Sequence, residues 1–187
     1  MKALAIDLLE WQKRFGTEGA CGEALARQRW PEGFRCPRCG HDHGYAISTR
    51  HSYECSSCHY QASLTAGTLF ASTKVPLTTW FRAMYLITQT KQGISSIELG
   101  RRLGVMQTTA WKIKTKLVEA MRLVSTSERL DGRVEMDDAY LGGERSGGKT
   151  GRGSPGKKPI VVAVETDEKG RPRRIKLRRI ARFKRRR

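Results

Sequence analysis

The sequence lacks any apolar run that approaches the about 20 residues needed for a transmembrane helix. Its N-terminal segment, MKALAIDLLEWQKRF, has one early lysine, but Asp7 and Glu10 interrupt the apolar stretch. This pattern predicts an amphipathic helix and argues against a secretory signal. We therefore expect a cytoplasmic protein with no membrane partner.

Acidic residues are scarce: 18 Asp and Glu stand against 36 Lys and Arg, which gives a net charge of +18 and a pI near 10.3. Residues 1–144 carry a net charge of +4, whereas residues 145–187 carry +14. Such an imbalance indicates a polyanionic partner, and nucleic acid is favoured over a membrane surface. A chain of 187 residues can hold one ordinary domain or two to three small ones.

Cysteine is also scarce, and the odd count of five argues against a disulfide framework. Four of the cysteines form two Cys-x-x-Cys motifs, Cys36–Cys39 and Cys55–Cys58, separated by fifteen residues. A cytoplasmic chain keeps its thiols reduced, so these pairs are expected to bind a metal. Four thiolates complete a tetrahedral Zn²⁺ site with no open position, which makes the site structural. The spacing predicts a zinc ribbon over residues 35–70.

The fifth cysteine, Cys21, belongs to a predicted second helix that continues through GEALARQRW, and we expect it to be a small buried residue. Short strands of the ribbon are predicted around Tyr45, Ile47, Tyr53 and Leu64. Four histidines lie near the knuckles, but four thiolates already fill the coordination shell. We therefore expect all four to be bystanders: His41, His43, His51 and His59.

Helical periodicity begins at Thr79 and continues to about Lys91, where Gly93 stops it. Its apolar face consists of Trp80, Met84 and Ile87. The stretch Ser95-Ser96-Ile97-Glu98 is a capping box that starts a short helix through Leu103, and Gly104 ends that helix. A third helix follows, with apolar residues three and four apart at Ala110, Ile113, Leu117 and Met121.

The other face of the third helix is basic, with Lys112 and Lys116 and, close by, Lys114. A short capped helix, a glycine-containing turn and a basic helix predict a helix-turn-helix over residues 76–125, with the last helix in the major groove. An ordinary three-helix bundle with a solvated basic face fits the same pattern. The candidate DNA contacts on this helix are Thr108, Thr109, Lys112, Lys114 and Lys116.

Two adjacent carboxylates, Asp137 and Asp138, lie in the strand-like segment RVEMDDAYLGG. The later segment PIVVAVETDEKGRPRRIKLRRI predicts two strands around an Asp-Glu-Lys-Gly-Arg-Pro turn. A carboxylate on a first strand followed by a hairpin is how RNase H-like nucleases begin, and those enzymes hold two Mg²⁺ ions with three carboxylates. Residue type alone also allows an acidic surface turn.

A nucleotide-binding pattern, Gly143-Glu-Arg-Ser-Gly-Gly-Lys149-Thr150, lies in the glycine-rich loop. A phosphate loop opens directly into a helix, and the following GRGSPGKKP cannot form one. We therefore expect a flexible basic segment that follows a DNA backbone. Its candidate contacts are Lys149, Arg152, Lys157 and Lys158.

Four stretches in order carry a family resemblance: CGEALARQRWPEGFRCPRCG, CSSCHYQASLTAGTLF, KQGISSIELGRRLGV with TAWK, and VEMDDAYLGG. They are similar to bacterial insertion-sequence transposases that have an N-terminal zinc ribbon and a DDE-type nuclease domain. The resemblance extends to about residue 180. It implies Mg²⁺-dependent cleavage and strand transfer of double-stranded DNA at the element's terminal inverted repeats, by a bacterial, cytoplasmic and nucleoid-associated protein.

The fold implied is α+β and multi-domain. We expect an N-terminal helical segment at 1–34, the zinc ribbon at 35–70, the helix-turn-helix at 76–125, the first strands of an incomplete RNase H-like domain at 130–180, and a basic tail at 181–187.

The family's Glu-x-Asp-Glu-x-Tyr-x-Gly-Gly motif falls on this chain so that Asp137 matches its first catalytic carboxylate, a ligand for Mg²⁺ or Mn²⁺ in the completed domain. Asp138 stands where the family has Glu, and strand alternation leaves both aspartates as catalytic candidates. Met106 stands where the family tends to have a capping Ser, so the third helix is expected to begin less firmly.

The family's later catalytic residues lie downstream of the hairpin, beyond the range of this sequence. The hairpin carboxylates are expected to be solvated turn residues and no substitute: Glu165, Asp167 and Glu168. From Lys169 onward, 12 of 19 residues are Lys or Arg, which favours a phosphate-contacting tail over a packed sheet. A truncated or frameshifted gene copy and an expressed N-terminal fragment both give such an ending.

One or two carboxylates cannot hold two metal ions about 3.5–4 Å apart, so we expect this polypeptide to bind DNA without cutting it. A complete transposase joins Asp137 to further carboxylates, and a homo-oligomer or a complementing transposase chain is an open alternative for supplying them. The alternative functions are a non-catalytic repressor that occupies the element's ends and a zinc-ribbon transcription factor. The latter leaves VEMDDAYLGG unexplained.

Overall fold

The structure is a computed structural model that describes residues 6–47, 50–90, 92–142 and 157–181. Its helices are α1 (Leu8–Phe15), α2 (Glu18–Arg29), α3 (Leu77–Thr88), α4 (Ser96–Leu103) and α5 (Gln107–Ser127). Its strands are β1 (Gly44–Ile47), β2 (Ser52–Cys55), β3 (Gln61–Ser63), β4 (Arg133–Leu141), β5 (Lys158–Thr166) and β6 (Pro172–Arg179). The chain forms two compact units, residues 1–121 and 122–187.

The first two helices begin at side-chain caps that satisfy backbone N–H groups of their first turns. Asp7 accepts from the Glu10 N–H at 2.8 Å, and Thr17 accepts from the Ala20 N–H at 3.2 Å. The predicted N-terminal helix is thus confirmed. So is the burial of Cys21, which is fully inaccessible on α2 and donates its thiol to the Phe15 carbonyl at 3.4 Å.

An aromatic and aliphatic cluster forms the core of the N-terminal unit. Trp11 of α1 packs against Tyr85 of α3 with ring centroids 5.8 Å apart, and Phe15 lies 5.1 Å from Phe81. These ring pairs stabilise the core beyond the effect of the apolar area that they bury, because tilted aromatic contacts are favourable. The largest fully buried aliphatic side chains of the cluster are Leu77, Leu99 and Ile113.

Helix α3 is capped by a residue far away in sequence. Pro76 at its start offers no side-chain acceptor, but the Glu18 carboxylate accepts from the backbone N–H groups of Leu77 at 2.6 Å and Thr78 at 3.0 Å. The carboxylate also suits the positive end of the helix dipole. Helix α3 therefore begins two residues before the predicted Thr79, and it ends at Thr88 instead of near Lys91.

Helices α4 and α5 are joined by the turn of residues 104–106. Ser95 Oγ accepts from the Glu98 N–H at 3.1 Å, which confirms the predicted cap, and Gly104 ends α4 in the left-handed conformation at φ 69°. The Glu98 carboxylate bonds forward to Arg101 and Arg102.

The predicted apolar face of α5 is confirmed at Ala110, Ile113 and Leu117, which are buried. Met121 was expected to belong to it, but its side chain is 54% exposed because the core that buries the earlier residues does not extend to it.

The two sheets are both antiparallel, with orders β1-β2-β3 and β4-β5-β6. In the first, Tyr53 of β2 stacks on Phe34 with centroids 5.4 Å apart and meets Trp30 edge-on, which packs the ribbon against the end of α2. The strands predicted around Tyr45, Ile47 and Tyr53 are confirmed, whereas Leu64 lies one residue beyond β3.

The second sheet confirms the predicted hairpin, with a turn from Asp167 to Arg171 that joins β5 to β6. The basic composition after Lys169 predicted a tail, and this is wrong for Pro172–Arg179, which pair along β5. Residues 182–187 of the predicted basic tail lie outside the described residues. Glu165 was expected to be a solvated turn residue, which is wrong. It lies within β5, is 5% exposed, and accepts from the Asp131 N–H at 3.1 Å, so a backbone donor compensates its burial.

Candidate metal centre and nucleic-acid interface

The four knuckle cysteines converge on one point. The sulfur atoms of Cys36 and Cys58 are 3.7 Å apart, those of Cys39 and Cys55 are 3.6 Å apart, and all four sulfurs lie within 4.8 Å of one another. A tetrahedron with metal–sulfur bonds of about 2.3 Å has edges of about 3.8 Å. The arrangement therefore fits one tetrahedral ion of zinc size.

Each knuckle is closed by the same backbone turn. The Gly40 N–H donates to the Cys36 carbonyl at 2.9 Å, and the His59 N–H donates to the Cys55 carbonyl at 3.1 Å. Both turn residues, directly after their Cys-x-x-Cys motifs, are left-handed, Gly40 at φ 76° and His59 at φ 53°. Glycine adopts this conformation freely, whereas histidine does so at a steric cost. The metal-binding turns are thus set by local backbone geometry.

Hydrogen bonding and burial give the knuckle thiols different pKa values. Burial opposes ionisation of Cys36, but backbone N–H groups of Cys39 and Arg38 and the neighbouring thiols lower its pKa to about 6. The His41 N–H favours the Cys39 thiolate, but hydrogen bonds with neighbouring cysteines, together with burial, raise the pKa of Cys39 to about 12. Four thiols this close cannot all ionise without a cation, so a metal ion that binds here displaces protons.

The nearby histidines make other contacts. His59 Nδ1 lies 3.3 Å from a Glu54 carboxylate oxygen, and His51 Nε2 lies 3.4 Å from a Glu18 carboxylate oxygen. Over the described ranges, the four cysteines are the only group of three or more His, Cys, Asp or Glu side chains placed to hold a metal ion. No histidine in those ranges joins the group.

The three lysines of α5 differ in their contacts. Lys112 is exposed to solvent. Lys114 is half-buried, and its Nζ donates to the Ile94 carbonyl at 2.6 Å. Lys116 Nζ donates to the Leu69 carbonyl at 3.3 Å and lies 5.8 Å from the ring centroid of Trp80. Lys114 and Lys116, the latter also exposed, therefore tie α5 to the chain segments before α4 and α3. Lys112 makes no such contact with the residues that the structure describes.

The remaining residues expected to contact DNA are spread along the chain. Thr108 is exposed at the start of α5, and Thr109 is half-buried. Lys157 and Lys158 are exposed where β5 begins. The glycine-rich segment that contains Lys149 and Arg152 lies outside the described residues.

Two exposed residues of α5, Gln107 and Trp111, were not among the DNA contacts predicted from the sequence. Gln107 Nε2 donates to Ser96 Oγ at 3.0 Å, and the Trp111 side chain is 55% exposed. The helical spacing of the buried positions would have predicted that Trp111 is exposed. This residue stands between Ala110 and Lys112 in the sequence, and its side chain points away from the buried face.

The two adjacent aspartates point to opposite faces of the second sheet. Asp137 shares a face with its cross-strand partner Val162 and, beyond it, Leu177, whereas Asp138 shares the other face with Val161 and Arg178. The Asp138 N–H donates to an Asp137 carboxylate oxygen at 2.7 Å. Asp137 and Asp138 are both exposed, and they lie on opposite faces as strand alternation requires.

Two comparisons with known families match different parts of the chain. Residues 16–61 match a family described as a transposase zinc-ribbon domain of IS1595 type. Residues 129–187 match an ISXO2-like transposase domain, a DDE transposase domain of the same type. No solved structure matches the chain.

One curated relative is 28% identical over 134 residues, an "uncharacterized protein in transposable element ISH50" from Halobacterium salinarum. The match covers 69% of this chain and 44% of the relative, so the chain spans less than half of that protein. The resemblance inferred from the sequence is confirmed: the chain carries the zinc-ribbon domain and sequence of the DDE transposase domain of IS1595-type insertion-sequence transposases.

Proposed function

We propose that this chain binds duplex DNA at the terminal inverted repeats of an insertion sequence, as the DNA-holding part of a transposase. The observation that carries the proposal is the capped α4–turn–α5 pair, whose second helix exposes Lys112, in a chain with both transposase domains. A helix pair of this kind places its second helix in the major groove. The net charge of +18 favours the same polyanionic partner.

The zinc ribbon supports this function by stabilising the fold of the N-terminal unit. Cys36, Cys39, Cys55 and Cys58 would hold Zn²⁺ with all four positions filled by thiolate, so the ion has no open site for a substrate. Its contribution is folding free energy, which a segment with three strands of three or four residues cannot obtain from its own core.

Asp137 is the residue proposed to take part in catalysis in a complete enzyme. A two-metal phosphoryl-transfer site needs several carboxylates around ions about 3.5–4 Å apart. No such carboxylate group is formed among the residues that the structure describes. We therefore propose that the chain alone holds DNA without cutting it, and that Mg²⁺ or Mn²⁺ chemistry requires carboxylates from another part of a transposase or from a partner chain.

A combined cleavage and retention assay tests both parts of the proposal. Zinc-loaded protein is incubated with Mg²⁺ or Mn²⁺ and duplex DNA that contains the sequence flanking its gene. Asp137→Ala and Asp138→Ala serve as a matched pair from opposite faces of one strand. We expect the wild type and both variants to retain the DNA uncut. Cutting that disappears only in Asp137→Ala would contradict the non-catalytic part, and failure to retain DNA would contradict the whole proposal.

A further inference from the structure

The solvent side of the first half of α5 forms one continuous face. Its members are Gln107, Thr108, Trp111, Lys112 and Thr115, of which Trp111 is 55% exposed. Positions three, four and seven apart lie side by side on a helix, so these side chains reach the same partner. The buried residues Ala110, Ile113 and Leu117 point the other way. The face is therefore available for binding while the helix stays anchored in the core.

The charge on this face favours a polyanion. No Asp or Glu occurs from Gln107 to Val118, and Lys112 extends into solvent beside Trp111. An exposed tryptophan offers a large apolar surface and an indole N–H donor. In a DNA duplex, a thymine methyl group can pack against the apolar ring, and a phosphate oxygen can accept from the indole N–H or from Lys112.

Gln107 is held in a defined orientation by α4. One of its amide N–H groups donates to Ser96 Oγ at 3.0 Å, so the first residues of α4 and α5 are joined. The amide oxygen and the second N–H of Gln107 have no hydrogen-bond partner among the described residues. An acceptor beside a donor matches the N6 amino group and N7 of adenine, which is the base edge that glutamine pairs with in the major groove.

We propose that Gln107, positioned by Ser96, reads an adenine in the major groove, and that Trp111 packs against an adjacent base. The N-terminal residues of a recognition helix are those that approach base edges. This inference rests on the proposed function, because it names the residues that give DNA binding its sequence preference. Lys112 then supplies a phosphate contact, which adds affinity without preference.

The experiment is selection from a randomised duplex library with the full zinc-loaded chain. The variants are Gln107→Ala, Ser96→Ala and Ser96→Thr, and Gln28→Ala is the matched control because Gln28 is an exposed glutamine on α2. We expect the wild type to enrich a motif that includes one adenine position. Gln107→Ala should lose about fivefold or more of the discrimination at that position, whereas Gln28→Ala should keep both the discrimination and the affinity for a scrambled duplex. Circular dichroism checks that helix content is unchanged.

Ser96 is tested by rescue. Ser96→Ala should weaken the same adenine preference, and Ser96→Thr, which retains the hydroxyl group, should restore it. An unchanged motif in Gln107→Ala, or a preference altered equally in Gln28→Ala, would overturn the assignment. Retention of DNA by the wild type with no enriched motif would overturn base reading but leave DNA binding in place. No retention at all would contradict the proposed function itself.

Discussion

Single side chains decide where several elements begin, and some act over long stretches of sequence. Asp7, Thr17 and Ser95 cap the helices that follow them directly, so their role is readable from local sequence. Glu18 is different, because it caps α3 from 59 residues away. Only folding brings that carboxylate to the start of α3. A prediction from the local sequence therefore placed the start of α3 too late.

Glu18 gives a prediction on stability. Burial works to raise its pKa, but the N–H groups of Thr78 and Leu77 and the proximity of His51 lower the pKa below its ordinary value. A lowered pKa means that the stabilisation exists above the unfolded-state pKa and disappears as pH falls through the folded-state pKa. Glu18→Ala should therefore cost about 1 kcal/mol in the free energy of unfolding, equally at pH 7 and pH 5.

Urea denaturation followed by circular dichroism measures this cost, with Glu23→Ala as the control because Glu23 is an exposed acid on the same helix. A loss in Glu23→Ala as large as that in Glu18→Ala would show that helix charge, and not the cap on α3, is responsible.

At the scale of elements, alternation and apolar spacing predicted most of the helices and strands, with errors at the two ends of α3, at Leu64 and along β6. The roles of surface charges were harder to predict. Lys114 and Lys116 belong to the same basic helix as Lys112, but carbonyl groups of Ile94 and Leu69 bind them. Sequence spacing predicts the direction in which a side chain points. It does not predict whether a carbonyl group distant in sequence will accept a hydrogen bond from that side chain.

This difference in side-chain contacts predicts that substitutions of neighbouring lysines will have different effects. Lys112→Ala should weaken DNA binding and reduce the salt dependence by about one counterion, with stability unchanged. Lys114→Ala should lower the free energy of unfolding, by about 1–3 kcal/mol, because the carbonyl of the buried Ile94 loses a charged donor. Binding titrations at several salt concentrations and urea denaturation separate the two, with exposed Lys13→Ala as control. Equal loss of stability in both variants would contradict the assignment.

Over the whole molecule, the metal centre was the feature most fully predictable, since two Cys-x-x-Cys motifs specify both the ligands and the turns. The paired aspartates were less so. The register with β5 and β6 gives Asp137 the neighbours Val162 and Leu177, and both aspartates stay catalytic candidates. The position of Glu165 inside β5 was missed because a turn pattern begins two residues later, at Asp167.

Metal dependence gives the prediction at this scale. Cys36→Ser should abolish Zn²⁺ binding and unfold the ribbon, because a four-ligand structural site rarely tolerates the loss of one thiolate. Cys21→Ser should be mild, since a serine hydroxyl group can donate to the same Phe15 carbonyl. Burial, and then the Glu18 charge, raise the pKa of Cys21 to about 11, so this thiol should also resist alkylation at pH 8.

Zinc content by atomic absorption and thiol counting with a chromogenic reagent measure both effects. Full zinc content in Cys36→Ser, or loss of zinc in Cys21→Ser, would show that the ligand set is not the four knuckle cysteines.

The most direct test of the account is the affinity of the zinc-loaded chain for duplex DNA with its gene's flanking sequence, against a scrambled duplex of the same length, across a salt series. We predict tighter binding to the flanking duplex, with affinity for both falling steeply between about 50 and 200 mM salt. Equal affinity for the two duplexes would contradict recognition of the element's ends, and affinity that does not change with salt would contradict a phosphate-contacting surface.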